Sequence, residues 1–220
     1  LCRTDATICS RTADGDHSGF NFIFYRVVVP QCCCQVMKIS SLSLSGLVLI
    51  EPKVFKDDRG YFFESFNEAV FRLTTGLNVT FVQDNESMSQ RGTFRGLHFQ
   101  IPPKAQAKLI RVVRGSILDV VVDLRKSSDT FGQHLCVELS AENQHQLFIP
   151  EGFAHGFLVL ENQTVVNYKC NNYYSPDAER CLSIFDSNLP KDWPIDQSDW
   201  VLSEKDQQGL GLSDVSEIFF

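Results

Sequence analysis

From Met37 to about Ile184, apolar and polar residues alternate in short runs. That is the period of half-buried β-strands rather than of helices. Lys38 to Ile50 alternates like a strand. Further strands are expected over Val79–Gln83, Phe94–Gln100, Leu109–Val113, Ser116–Leu124, His134–Leu139, Gln146–Ile149, Ala154–Val159 and Thr164–Cys170. Turn signals separate them: Arg91-Gly92, Pro102-Pro103, Arg114-Gly115, Ser127-Ser128-Asp129, Pro150-Glu151-Gly152 and Glu161-Asn162. Short strands at this spacing predict an all-β antiparallel sandwich or barrel. One short helix is expected over Glu68–Thr75, capped by Asn67 and ended by Gly76. From Ser187 on, the pattern predicts irregular or helical packing over the barrel.

Residues 1–36 break the pattern. They show no sustained helical or strand period, carry the run Cys32-Cys33-Cys34, and begin with Leu1 rather than Met. We expect them to be a non-native or disordered N-terminal extension, with a genuine N-terminal arm as the alternative. Residues 37–220 are then a single domain, a comfortable length for a real core.

A net charge of −7 argues against general affinity for nucleic acid or anionic membrane, so an anionic ligand needs a local cluster of Arg and Lys. No apolar run reaches the length of a membrane span. Phe20 to Pro30 is interrupted by Arg26 and follows Asp14 and Asp16, which makes it a poor signal peptide. The body holds three scattered cysteines, Cys136, Cys170 and Cys181, and no CxxC pair. Buried thiols in a reducing, cytoplasmic compartment are expected, and no zinc knuckle.

Candidate chemistry gathers at Arg95-Gly96-Leu97-His98-Phe99-Gln100. On a strand, Leu97 and Phe99 face one way and His98 and Gln100 the other. A histidine in the polar mouth of a barrel can serve as a general base near neutral pH. Asp57-Asp58-Arg59-Gly60 is either a solvated turn or a rim that presents Arg59 and Glu64. Lys108, with Arg59, Arg95 and Arg111, is either surface charge or a cationic set for a phosphate or an enolate. His155, between small and aromatic residues in Pro150 to Phe157, marks either close backbone approach or a barrel corner. Tyr168 and Tyr174 can act as an acid, stack on a ring, or simply pack. Small cupin-type barrels often bind metal through a His-x-His pair. Here the pair position reads His98-Phe99-Gln100, so no catalytic metal is expected.

Together with Glu51-Pro52-Lys53-Val54-Phe55, Asp58 to Asn67, Phe81 to Asn85, Phe148 to Phe157, Tyr173-Tyr174-Ser175-Pro176 and Leu202-Ser203-Glu204-Lys205-Asp206, these residues resemble the dTDP-4-dehydrorhamnose 3,5-epimerase family. The resemblance runs from about Met37 to Asp214. It implies a cupin-like jelly roll with a few short helices, a homodimer, a dTDP-sugar substrate, and neither cofactor nor metal. The implied reaction is epimerisation at C3 and C5 of dTDP-4-dehydro-6-deoxy-D-glucose to dTDP-4-dehydro-L-rhamnose. The resemblance makes His98 the base, Asp206 its orienting carboxylate and Tyr168 the acid on the opposite face. Tyr174 would stack near the substrate, and Arg59, Glu64, Gln83, Asn85, Arg95, Lys108, His155, Glu179 and Lys205 would line the nucleotide-sugar site.

Residues 1–36 have no counterpart in the family, and Gly209 stands where a proline is common. Three rival readings stay open: a single-site epimerase or ketoisomerase on the same scaffold, a non-catalytic sugar-nucleotide module, and a metal-dependent cupin oxygenase.

Overall fold

The computed structural model describes residues 37–215 throughout, together with the strands β1 (Asp5–Cys9) and β2 (Phe24–Val28). β1 and β2 pair antiparallel with each other and join neither large sheet. The remainder of the expected 1–36 extension lies outside the described residues.

Fifteen strands and three short helices follow one another in the described residues. After β2 come β3 (Met37–Ser41), β4 (Val48–Pro52), β5 (Phe55–Asp57), β6 (Gly60–Phe62), α1 (Glu68–Thr75), β7 (Gln83–Ser89), β8 (Phe94–Gln100), β9 (Lys108–Arg114) and β10 (Ser116–Asp123). Then come β11 (His134–Ser140), β12 (Gln146–Ile149), β13 (Phe153–Val159), β14 (Thr164–Cys170), β15 (Glu179–Cys181), α2 (Glu204–Gln207) and α3 (Leu212–Val215). Two antiparallel sheets dominate, ordered β11-β10-β13-β8-β15 and β3-β4-β12-β9-β14-β7. This is a cupin-like jelly roll, as the family resemblance implies, and an antiparallel arrangement of the kind the strand pattern predicts. β5 and β6 form a separate hairpin.

Alternation explains the layers. On β10, Ile117 and Val121 enter the core between the sheets, while Val120 and Val122 join a second core on the outer face. The inner core continues through Ile110, Val112, Leu147, Phe157 and Val166. Outside the six-stranded sheet, α1 packs Phe71 against Ile50, Leu109 and Phe148. Asn67 caps that helix by accepting from the Val70 N–H at 3.2 Å, worth about 1 kcal/mol. Gly76 ends it in the left-handed conformation at φ 71°.

The C-terminal segment covers the outer face of the other sheet, as expected. Leu189, Ile195, Trp200 and Val215 pack there with Phe94, and the Trp200 and Phe94 rings stack at 5.3 Å. This wrapping carries α2 to the edge of β8.

Two expected strands differ. The alternating run from Lys38 to Ile50 is a hairpin, β3 and β4, because the chain turns through Gly46 at φ 95° and buries Leu44 and Leu47. The expected strand at Val79–Gln83 is displaced to β7, which is almost wholly polar. Its inward residues Gln83, Asn85, Ser87 and Ser89 face the polar end of the interior, so hydrophobic alternation does not mark it.

Candidate active site

At one end of the interior the apolar filling gives way to polar side chains. In register across β7, β14 and β9 lie Gln83, Cys170 and Lys108, and one step deeper Asn85, Tyr168 and Ile110. The opposite wall is β8 and β13, where His98 pairs with His155. Gln83, Asn85, His98, Lys108, Tyr168, Tyr174 and Glu179 line one cavity of about 110 Å³.

His98 is fixed from outside its own sheet. Its Nε2 lies 2.6 Å from Asp206 Oδ1 on α2. Ser203, the N-cap of α2, donates its hydroxyl to Asp206 Oδ2 at 2.8 Å and accepts from the Asp206 N–H. Burial alone would raise the Asp206 pKa, but the hydrogen bonds from His98 and Ser203 outweigh it and hold the carboxyl below its usual range. An ionised Asp206 can accept an Nε2–H, and in that tautomer the imidazole carries its lone pair on Nδ1.

Tyr168 faces His98 from the other sheet. Burial raises its pKa, with Cys170 acting in the same direction and Arg95 opposing, so the phenol stays protonated and able to donate at neutral pH. Lys108 is half-buried, and its Nζ donates to the His98 carbonyl at 3.3 Å. Burial lowers its pKa, while Asp119 and Glu179 push it back up.

His155 is held by Asp119, with Nε2 at 2.8 Å from Oδ2 and the carboxylate side chain fully buried. Burial, the first cause, lowers the His155 pKa despite Asp119, and Lys108 and His98 add to the lowering. Alternation alone would put Arg95 on the face opposite His98. A bulge at Gly96, φ 121°, changes the register so that Arg95 pairs with Phe157 and shares the His98 face. Arg95 Nε donates to Ser89 at 2.9 Å.

Glu179 joins the rim together. It accepts from Tyr174 Oη at 2.7 Å and pairs with Lys205, beside Asp206. Burial would raise its pKa, but Lys205 and Tyr174 hold it lowered. Gln83 accepts from the Tyr174 N–H at 2.8 Å and donates to Asn85.

Arg59 and Glu64 are not brought to this cavity. Arg59 stands at the tip of the β5–β6 hairpin, almost fully exposed and paired to Asp57. Glu64 follows that hairpin, half-buried. Arg111 points to the outer face, over the Phe63 ring at 6.0 Å, and adds no cation to the cavity.

The sequence reading missed Asp119, although an acid at an inward position of a Val- and Ile-rich strand is a usable signal. Ser89, Ser203, and Gln100, which anchors the Tyr173–Ser175 backbone, gave no such signal. Cys136, Cys170 and Cys181 are free thiols; Cys170 and Cys181 are buried, as expected, and Cys136 is only half-buried. Burial pushes Cys181 up to about 12, so it is no nucleophile at neutral pH.

The profile of the dTDP-4-dehydrorhamnose 3,5-epimerase family matches residues 41–214. A dTDP-4-dehydrorhamnose 3,5-epimerase from Methanothermobacter thermautotrophicus is 55% identical over 166 residues, 75% of this chain and 89% of that protein. The crystal structure of the Elizabethkingia anophelis enzyme of the same name superposes with a TM-score of 0.77 at 49% identity, covering 81% of this chain and 97% of that one. The dTDP-6-deoxy-D-glucose-3,5-epimerase of Legionella pneumophila, solved in complex with dTDP-4-keto-L-rhamnose, superposes with a TM-score of 0.77 at 44% identity, covering 80% and 93%.

Proposed function

The chain belongs to the dTDP-4-dehydrorhamnose 3,5-epimerase family, and on that premise we propose that it inverts both C3 and C5 of dTDP-4-dehydro-6-deoxy-D-glucose, giving dTDP-4-dehydro-L-rhamnose. The observation that carries this reading is the His98–Asp206 pair on one wall of the cavity with Tyr168 on the facing wall. In a 4-keto sugar, C3 and C5 both flank the carbonyl. Removing a proton from either carbon gives an enolate on the same oxygen, so one base serves both positions.

His98 Nδ1 takes the carbon-bound proton while Asp206 supports the imidazolium. Lys108 places its charge where the enolate oxygen forms. Tyr168 delivers a proton to the other face of the ring, and the configuration inverts. Each half-reaction moves only protons, so its balance requires no redox cofactor. Gln83, Asn85, Arg95, His155, Tyr174, Glu179 and Lys205 hold the nucleotide sugar around this centre.

The working unit is a homodimer in the cytoplasm. Ligand pockets usually span roughly 300–1,000 Å³, and the cavity of one chain, at about 110 Å³, falls short of that. The β5–β6 hairpin meanwhile exposes Phe55, Tyr61 and Phe62 to at least half their area and turns Arg59 away from its own cavity. A second copy that receives this hairpin completes the wall with Arg59 and Glu64 and gives the diphosphate its cation.

The test is NMR of the protein with dTDP-4-dehydro-6-deoxy-D-glucose in heavy water. Deuterium at both C3 and C5 of an inverted product is expected. Label at one carbon only would replace this reading with a single-site epimerase, and no label would reject proton abstraction from this substrate.

A further inference from the structure

Cys181 has no part in the epimerisation, yet its position is specific. It lies directly opposite His98 in the β8–β15 pairing, and Asp206 reaches the same point from α2. The Cys181 thiol, the His98 ring nitrogen and an Asp206 oxygen all lie within 4.8 Å of one another. Among the described residues this is the only such grouping of three His, Cys, Asp or Glu side chains.

We propose that Cys181, His98 and Asp206 form a three-ligand site for a borderline-soft divalent cation, with zinc the best fit, and that its occupation blocks the catalytic base. A sulfur, an imidazole nitrogen and a carboxylate oxygen are the donor types zinc takes, and a thiolate disfavours magnesium and calcium. Zinc–ligand bonds of roughly 2.0–2.3 Å place tetrahedral donors about 3.3–3.6 Å apart. The three donors here lie within 4.8 Å of one another. The His98–Asp206 contact, 2.6 Å, has to widen to admit the ion.

The proton balance gives the functional consequence. Binding releases the Cys181 thiol proton to solvent, and the metal takes the Nε2 lone pair, so the single imidazole proton moves to Nδ1. No electron is transferred. A His98 with metal on Nε2 and hydrogen on Nδ1 has no lone pair left for a C–H bond. Metal binding and turnover therefore exclude each other, a consequence that rests on His98 being the base. The metal site itself rests only on the geometry of the three side chains.

The experiment uses the whole chain and two readouts. Titration of the metal-free protein with Co²⁺ should produce tetrahedral visible bands and a near-ultraviolet thiolate-to-cobalt band. Its absence in the wild-type protein overturns the site without reference to any variant. Cys181→Ser should abolish the thiolate band. With basal epimerisation retained, it should also raise the zinc concentration for half-inhibition by on the order of tenfold or more, the scale on which losing even an outer partner weakens a metal site. Zinc affinity, read by competition with a chromophoric chelator, should fall in parallel. Equal zinc affinity in Cys181→Ser and wild type would overturn the proposal. Zinc bound through Cys181 without inhibition would keep the site and remove His98 from the role of base.

Discussion

Gly96 and Gly156 pass so closely where β8 bulges against β13 that a Cβ on Gly96 would lie 2.5 Å from Gly156 Cα. A Cβ on Gly156 would meet the Arg95 carbonyl oxygen at the same 2.5 Å. This contact is what turns Arg95 and His98, three residues apart, to one face of the sheet.

Gly156→Ala should therefore do more than loosen the core. Overpacking of this kind costs about 1–3 kcal/mol. The clash is with backbone on β8, so relief requires moving the strand that carries His98 and Arg95. A lowered melting temperature together with a loss of kcat at temperatures where the variant is fully folded is the expected result. Wild-type kcat in the folded variant would show that the bulge does not set the catalytic geometry.

Asp206→Asn tests the tautomer. An amide at this position can donate to His98 Nε2, which places the imidazole proton on Nδ1 and removes the base. Turnover should fall on the order of 10²–10⁴-fold, the contribution typical of a positioned acid or base, with substrate affinity little changed. Calorimetric binding and steady-state rates separate the two. A drop confined to KM would make Asp206 a binding residue only.

Tyr168→Phe removes the proposed proton donor and keeps the ring. Inverted product should fall by about 10²–10⁴-fold, while solvent deuterium still exchanges into unreacted substrate through His98. NMR in heavy water reads both signals in one sample. Undiminished inversion would require another acid.

Much of this site was legible because its chemistry is concentrated in short strands. His98 and Gln100 alternate with Leu97 and Phe99, and the family motifs place Asp206 and Tyr168 around them. Arg95 was harder. Its face depends on the bulge at Gly96, and alternation counted along the strand gives the wrong side. β7 was displaced in the sequence reading because a strand that lines a polar cavity carries Gln, Asn and Ser inward, where a core strand would carry Val or Ile. Cys181 depends on strand pairing between segments distant in the chain, which no local pattern encodes, whereas Asp119 carries a local signal, an acid at an inward position of a Val- and Ile-rich strand. The β5–β6 hairpin is the reverse case. Its turn was readable, but the distance of Arg59 from the cavity emerges only in three dimensions.

Asp123 makes the stability of the barrel acid-sensitive. Its carboxylate is fully buried and accepts from the Arg125 guanidinium at 2.7 and 2.8 Å, and from the Ser128 and Thr130 hydroxyls. Burial would raise its pKa, but these hydrogen bonds prevail and lower it. A lowered folded pKa contributes stability that is complete above the unfolded value, about 3.9. That stability is lost as pH falls through the folded pKa below it. Asp123→Asn should cost roughly 1.5–3 kcal/mol at pH 7, the range for hydrogen bonds to a charged group, and the cost should shrink toward pH 3. Urea melts at both pH values test this, and an equal cost at each would assign the effect to packing.

The exposed Arg59 gives a test of the shared site that needs no structure of the dimer. If Arg59 of one copy serves the cavity of the other, Arg59→Ala raises KM for the nucleotide sugar, and His98→Asn abolishes turnover on its own. Mixing the two inactive or weakened variants, unfolding and refolding them together, produces mixed dimers. In one half of each mixed dimer both substitutions fall on the same site, and the other site is left with a native Arg59 and a native His98. Activity at low substrate should then exceed the sum of the separate variants, and it should appear only in the dimer fraction on sedimentation. If Arg59 acted on its own cavity, every site in the mixture would carry one defect, and no gain over the separate variants would be seen. A monomeric sedimentation coefficient in the fully active protein would remove the shared site altogether.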